Sequence, residues 1–323
     1  MSENRSHFTL YGKSPLLQLV ITLLIIVTVG MALLIALTIG GILFSGLDIR
    51  SLPDNFLTEI GEGNLNLLRY LIVTEEFALF IVPALIVRKL LLPESQASLK
   101  DFGLPRINEI AIVVVLAFCI FPVTGIIGHF NAEMKLPDWL SGVEQWMKTK
   151  ENNASGLIDQ LISSETFGIM ILNLIIIAVL PAISEELIFR GVFQRIFYGF
   201  FKSYHPAIWL TAFLFSAVHL QFYGFIPRFI LGLVFGYLFY WSRTLWLPVI
   251  AHFVNNAVPV IASYYQGREL AGATPDISLW KQLIGLPVPV TIIVVVLLYF
   301  RNKSKRELAL KIEILPEIDQ DHS

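Results

Sequence analysis

Charge and cysteine are both scarce in this sequence. Charged residues make up 15% of the 323 residues and hydrophobic residues 55%, whereas soluble domains carry about 25% charged residues. So little charge cannot cover a water-facing surface, which argues against a soluble enzyme. The single cysteine, Cys119, excludes an intrachain disulfide and a CxxC metal or redox site. The net charge of −2 gives no reason to expect a nucleic-acid partner.

Long apolar runs predict an all-α fold: a polytopic membrane helix bundle of about eight transmembrane helices. The first run is roughly twice as long as a signal-peptide core of about 7–15 residues, so we expect it to be retained. The last four runs are short for a full crossing. The predicted spans are Leu16–Phe44, Leu65–Leu92, Ile110–Gly128, Phe167–Ser184, Pro206–Leu220, Pro227–Trp241, Pro248–Ala262 and Pro287–Phe300.

Basic residues are distributed unevenly between the two sides of these spans. With the N-terminus inside, 15 of the 23 lysines and arginines fall on inner segments and 8 on outer ones. Positively charged loops stay in the cytoplasm, so this split predicts an integral protein of the cell membrane with cytoplasmic N- and C-termini. The segment Asn131–Thr166 is predicted to be a long outer loop.

Polar side chains inside the apolar runs are the candidates for function. A charged side chain near the bilayer centre costs roughly 2.5–3.5 kcal/mol on insertion scales, so it needs a partner, a cavity or a function. Few positions of this sequence qualify. They are Glu75, Glu76, Glu185, Glu186, Arg190, His219, His252, Asn255 and Asn256.

The spacing of these residues separates supporting roles from chemical ones. Glu186 and Arg190 are four residues apart with the acid first, which favours a helical salt bridge. Glu185 is rotated by about 100° from Glu186 and is free for chemistry. The same four-residue spacing puts Phe215 with His219, and His252 with Asn256, on shared helix faces. Alternatively, the charges lie at a helix end at the membrane interface, and each histidine is a satisfied core residue.

This set of side chains suits the hydrolysis of an amide by activated water. A carboxylate and an imidazole can deprotonate a water, while a second imidazole and a carboxamide can donate to an oxyanion. No serine lies in a Gly-x-Ser-x-Gly elbow, which disfavours an acyl-enzyme. Glu185, His219 and His252 could equally bind Zn²⁺ and leave a fourth position for water. The cofactor is therefore either none or zinc, and the sequence contains no His-Glu-x-x-His motif to decide.

Three motifs in order on successive apolar helices resemble the CPBP family of intramembrane proteases. This family comprises the CAAX prenyl endopeptidases and the bacterial Abi or bacteriocin-immunity relatives, and it carries a metalloprotease label beside a metal-free glutamate mechanism. The motifs are Glu185-Glu186-x-x-x-Arg190, Phe215-x-x-x-His219 and His252-x-x-x-Asn256. The resemblance implies a catalytic core over residues 167–262. It would be preceded by a three-helix region with the outer loop (1–166) and followed by the last transmembrane helix and cytoplasmic tail (263–323), all within one membrane domain.

The resemblance also implies a role for each motif residue. Glu185 would be the general base that activates water, and His219 would help to hold that water. His252 and Asn256 would form the oxyanion hole. The supporting residues would be Glu186, Arg190 and Phe215.

The expected function is an intramembrane endopeptidase that cleaves a peptide or a membrane-protein substrate within the lipid bilayer. The substrate could be a prenylated CAAX-type protein, which is what the family name suggests. One alternative is a non-catalytic immunity or scaffold protein of the same fold. Another is a small transporter with Glu75, Glu76 and Glu185 as a proton relay, although the halves of the chain show no repeat.

One geometric difficulty stands against the predicted site. By the 1.5 Å rise per residue, Glu185 lies about 27 Å from Phe167, towards the inner face. His219 lies about 20 Å from Pro206, which would put it nearer the outer face. The two can meet only if the fifth span starts lower, for example after an amphipathic elbow at Gly191–Phe201.

Overall fold

The computed structural model describes residues 10–46, 64–91, 103–162, 166–269 and 283–318. Within these ranges every regular element is helical, which confirms the predicted all-α membrane bundle. A short 3₁₀ turn at Asp138–Leu140 precedes the fourth helix. The helices are α1 (Pro15–Phe44), α2 (Leu65–Leu91), α3 (Ile107–Ala132), α4 (Ser141–Ile162), α5 (Phe167–Phe201), α6 (Tyr204–Ala217), α7 (Phe225–Ser242), α8 (Trp246–Glu269) and α9 (Pro287–Ile318).

Among the described helices, seven are long and apolar enough to cross a membrane, namely α1, α2, α3, α5, α7, α8 and α9. The predicted fifth span, Pro206–Leu220, differs. It corresponds to α6, which has 14 residues and a length of about 21 Å, against a hydrocarbon core of about 30 Å. The chain turns after Ala217, and Leu220 has a left-handed φ of 52°. Among the described helices, the bundle therefore has seven of spanning length, together with the short α6 and the polar α4.

The segment predicted as an outer loop contains the 22-residue helix α4. Leu161 of α4 is 1% exposed and packs against buried leucines of α2, and Leu157 adds to the same cluster one turn earlier. The mean polarity of the segment hid this narrow apolar stripe, in which two leucines four residues apart share one helix face.

There are two main apolar clusters, and α7 contributes to both. One joins α1, α2, α5 and α6 with Phe239 of α7, and the other joins α3, α7, α8 and α9. α6 and α7 approach closely because Gly232 has no side chain: a Cβ there would lie 2.9 Å from Ala212 Cα. This contact brings the backbone of α7 within reach of side chains on α5.

The helices that carry the polar residues depart from regular α geometry near them. α2 has a π-helical segment at Glu76–Ile81, and α5 has one at Leu174–Val179 and another at Phe189–Phe193. A π segment inserts a residue into the helical repeat and rotates the faces that follow, and such segments are frequent at functional sites. The Glu185–Glu186 pair lies on the α-helical stretch between the two π segments of α5.

Candidate active site

Glu186 is the centre of a buried ionic network that joins three helices. Arg190 Nη1 donates to Glu186 Oε1 at 2.8 Å, so the predicted salt bridge is present, and both side chains are 0% exposed. His252 Nδ1 of α8 lies 3.1 Å from the same oxygen. Arg190 Nη2 donates to the carbonyl of Gly232 on α7 at 3.0 Å. Helix spacing could not predict the contacts to α7 and α8, because these partners are 42 and 66 residues away in the chain.

Glu185 faces the other nitrogen of the same imidazole. It is 8% exposed, and its Oε2 lies 3.9 Å from His252 Nε2. Within the described ranges, this buried oxygen has no hydrogen-bond partner. Two atoms 3.9 Å apart can both contact one small polar group, such as a water. Glu185 thus offers a desolvated acceptor oxygen beside this imidazole.

Phe215 packs between the two histidines and the arginine. Its ring centroid lies 5.4 Å from that of His219 and 5.8 Å from that of His252, and Arg190 Cζ lies 4.8 Å from the same centroid. Phe235 of α7 stacks on His252 at 5.2 Å with an interplanar angle of 25°. The aromatic rings fix the imidazole planes and add a cation–π contact to Arg190.

His219 lies just beyond the end of α6. Its Nδ1 is 2.7 Å from the carbonyl oxygen of Phe215, so Nδ1 carries the hydrogen and Nε2 is left as an acceptor. Arg228 and His252 are its electrostatic neighbours, and Arg228 also acts on Glu185. The imidazole is therefore near the same charges as the glutamate.

The hairpin of α5 and α6 explains how Glu185 and His219 can lie at the same depth in the bundle. The chain reverses at Lys202, which has a left-handed φ of 52°. Glu185 lies 16 residues before the end of α5, a distance of about 24 Å, and His219 lies 15 residues after the start of α6, about 22 Å. The two side chains are therefore at similar heights above one turn. α5 makes this possible because it continues to Phe201, well past the predicted end at Ser184.

Residues 167–258 match the family model described as type II CAAX prenyl endopeptidase Rce1-like. The chain contains an Rce1-like domain. The result confirms the resemblance, and all seven predicted site residues lie inside the matched range. The match covers α5, α6 and α7 and the first half of α8, and it leaves α1–α4 and α9 outside.

One curated protein shares weaker similarity with the chain. An uncharacterised Bacillus subtilis protein, YpbD, is 26% identical over 120 residues, which are 36% of this chain and 57% of that protein. The chain thus spans little more than half of this relative's length. No solved structure matches the chain. The seven apolar helices and the Rce1-like domain support an integral membrane protein.

Asn256 lies one helical turn after His252 in the Rce1-like domain. It is half-buried, and its Oδ1 accepts from Asn255 Nδ2 at 3.3 Å. This bond uses the carbonyl side of the Asn256 amide and leaves its NH₂ group for another partner. Within the described ranges, the side-chain hydrogen bond of Asn256 is therefore with Asn255 and not with Glu185 or Glu186.

The predicted zinc alternative can be compared with the positions of the side chains. Among the residues that the structure describes, no group of three histidine, cysteine, aspartate or glutamate side chains could hold one ion. The imidazoles of His219 and His252 each use Nδ1 in another contact, which leaves Nε2 of each ring as the atom available to a ligand. We assign no metal to Glu185, His219 and His252.

The second glutamate pair divides between two environments. Glu75 is exposed on α2, whereas Glu76 is 8% exposed and accepts a short hydrogen bond from Ser184 Oγ of α5. The sequence singled out both residues because they interrupt an apolar run. It could not say which one faces the protein, because a π segment begins at Glu76 and shifts the helical phase.

Proposed function

We propose that the protein is an intramembrane endopeptidase that hydrolyses a peptide bond with activated water. Glu185 is the general base, and His219 holds the attacking water. His252 and Asn256 donate hydrogen bonds to the oxyanion. The observation that carries the proposal is the buried, unpartnered Oε2 of Glu185 within the described ranges, 3.9 Å from His252 Nε2, inside an Rce1-like domain.

The reaction uses the chain's own side chains. Glu185 takes a proton as the water oxygen bonds to the substrate carbonyl carbon, and the carbonyl oxygen becomes an oxyanion. Donors that point at this oxygen in a dry site stabilise the transition state more than they would in water. When the carbon–nitrogen bond breaks, the proton passes from Glu185 to the leaving amine. The products are a free acid and a free amine.

His252 can donate to the oxyanion only in its doubly protonated form. Its Nδ1 hydrogen points at Glu186 Oε1, so a donor at Nε2 needs a second proton. The carboxylate of Glu186 lies against Nδ1 and is the counter-charge of that form. Glu186 thus supports the proposed oxyanion hole, and Arg190 holds Glu186 in place.

The proposed substrate is a membrane-associated protein segment, and a prenylated CAAX-type tail is one such substrate. An apolar cavity of about 250 Å³ lies beside the site, with Ile183, Leu187 and Val249 in its wall. Ile183 and Leu187 flank the Glu185–Glu186 pair in the sequence, and Val249 precedes His252 by about one turn. An apolar substrate group would fit such a cavity.

We also propose the cell membrane as the setting, with both chain termini in the cytoplasm. The support is the excess of lysine and arginine on the inner segments. Reporter fusions at each terminus and at residue 150 in α4 should give cytoplasmic signals at the two ends and an external signal at α4. Termini on opposite sides would contradict this orientation.

Cleavage by the purified protein tests the proposed function. The full chain in detergent is incubated with prenylated and unprenylated peptides, and the products are identified by mass spectrometry. We expect cleavage by the wild type, a loss of at least about 10²-fold for Glu185→Gln, and cleavage that persists with a zinc chelator. Glu75→Gln is the matched control, since it makes the same change at an exposed position of α2.

Three outcomes would contradict this mechanism. Wild-type activity in Glu185→Gln would remove Glu185 as the base. Activity lost with chelator and restored by Zn²⁺ would move the histidines into a ligand role. If folded wild-type protein cleaved no peptide in the panel, the non-catalytic scaffold alternative would be favoured.

A further inference from the structure

Glu76 lies against the catalytic helix although it comes from outside the Rce1-like domain. Its Oε2 accepts the hydrogen bond from Ser184 Oγ, and Ser184 is 0% exposed. Ser184 immediately precedes Glu185. A carboxyl group of α2 is thus hydrogen-bonded to the residue that precedes the proposed base.

The surrounding packing makes this contact a rigid one. Ala84 and Val87 of α2 are 0% exposed and belong to the same cluster as Leu187 and Ile188 of α5. The two helices are therefore fixed against each other close to the hydrogen bond. Ser184 Oγ also lies 2.9 Å from the carbonyl oxygen of Leu180, so its single hydrogen is shared between this carbonyl and Glu76.

The catalytic helix needs such a tether at this point. Glu185 lies between two π segments of α5, and each π segment departs from the regular hydrogen-bond pattern that fixes the rotation of a helix. A displacement of about 1 Å in a catalytic group can cost about 10²-fold in rate. A buried hydrogen bond to a neighbouring helix limits that displacement.

We infer that Glu76 is a positioning residue of the active site, which orients Glu185 through its hydrogen bond to Ser184. The inference rests on the proposed function, because it assigns Glu185 as the base. It brings α2, which the family model does not cover, into the site. We assign no such role to Glu75, which is exposed.

A set of adjacent variants tests the inference in the cleavage assay. We expect Glu76→Ala and Ser184→Ala each to lower kcat by about tenfold or more while KM changes little, because the base is misplaced but substrate contacts remain. The double variant should be no slower than either single variant, because each of these variants removes the same hydrogen bond between Ser184 and Glu76. Glu76→Gln should retain most of kcat, because its amide oxygen can still accept from Ser184. Glu75→Ala should match the wild type.

Hydrogen exchange gives a readout that does not depend on activity. The peptide of α5 that contains Ser184 and Glu185 should exchange faster in Glu76→Ala than in the wild type, whereas Glu75→Ala should leave it unchanged. The same protein samples show by their thermal midpoint that each variant is folded.

The outcomes separate the two proposals. Additive losses in the double variant, or a Glu76→Gln variant as slow as Glu76→Ala, would overturn the tether while the protease function stands. If the wild type cleaves nothing, the function fails, and the exchange of the α5 peptide alone decides whether Glu76 holds this segment. Unchanged exchange in Glu76→Ala would overturn the inference in either case.

Discussion

α1 and α5 are both long and apolar, but they relate to the rest of the bundle in different ways. In the most apolar 18-residue window of α1, 11% of the residues are buried within the protein, against 39% in α5. α1 presents large side chains such as Leu24 and Val27 outward, at 57% and 61% exposure. α5 buries the Glu186–Arg190 pair completely. Apolarity thus identifies a helix that can cross a membrane, whereas buried charge identifies the helix around which others assemble.

The sharpest test of this difference is to break the buried pair. We expect Glu186→Ala to lower the free energy of unfolding by about 3–5 kcal/mol, because it leaves the Arg190 guanidinium buried without its carboxylate. Reversible unfolding of the purified protein in mixed micelles, followed by circular dichroism, measures the change.

Two variants serve as controls for this loss. The double variant Glu186→Leu/Arg190→Met should recover most of the stability, since an apolar pair of similar size avoids the unpaired charge. In α1, Leu24→Ala should change the free energy of unfolding by less than about 0.5 kcal/mol. A Glu186→Ala protein as stable as the wild type would mean that the pair is not what fixes α5 in the bundle.

The next effect concerns the close approach of α6 and α7. A Cβ at Gly232 would lie 2.9 Å from Ala212 Cα, which is backbone and cannot move aside. Gly232→Ala should therefore cost about 1–3 kcal/mol and disturb the carbonyl that accepts from Arg190. The control is Gly125→Ala in α3, where a Cβ would meet nothing within 4 Å and alanine is the better helix former. Equal stability of the two variants in the same unfolding assay would contradict this packing.

Much of the fold could be predicted because membrane spans depend on length and apolarity alone. The prediction failed where those two properties mislead. α4 is polar on average, and only its stripe with Leu157 and Leu161 reveals a docked helix. α6 is apolar enough for a span but has 14 residues, and its length is set by the turn at residues 218–224. Neither feature is visible in a hydropathy average.

The candidate site residues could be chosen from the sequence, but the contacts between those on different helices could not be predicted from it. The i, i+4 pair of Glu186 and Arg190 is local, so the sequence predicts it. The contact of Glu186 with His252 and that of Ser184 with Glu76 join residues 66 and 108 positions apart. They depend on how helices pack and on π segments that rotate their faces. Single-helix spacing carries no information on either.

A smaller effect is expected at the contact between α1 and α2. A Cβ at Gly41 of α1 would meet the ring of Tyr70, which is 38% exposed and free to swing outward. Gly41→Ala should cost about 1 kcal/mol or less, largely through the hydrogen bond from Tyr70 Oη to the Leu37 carbonyl at 3.0 Å. Gly40→Ala is the control, because a Cβ at Gly40 would meet nothing within 4 Å. A loss as large as that of Gly232→Ala would show that α1 is as tightly packed as α7.

The smallest effect is expected at an ion pair with the same spacing as the buried one. Lys148 Nζ donates to Glu144 Oε1 of α4 at 2.6 Å, but the lysine side chain is 55% exposed, and water screens such pairs. Lys148→Met should leave the thermal midpoint at neutral pH within error of the wild type. The spacing is the same as in the buried pair, so a small effect here beside a large one in Glu186→Ala is the contrast that burial predicts.

Acidification tests what remains of this exposed interaction. The hydrogen bond from Lys148, together with that from the Leu136 N–H, holds the pKa of Glu144 below its usual value. A depressed pKa contributes stability that is present above the usual glutamate pKa and is lost as the pH falls through the lowered one. The wild type should therefore lose a slight advantage over Glu144→Gln across that range of pH, measured as the difference in thermal midpoint. A midpoint difference that grows on acidification would reverse the sign of this linkage, and it would mean that α4 is held in place by something other than this carboxylate.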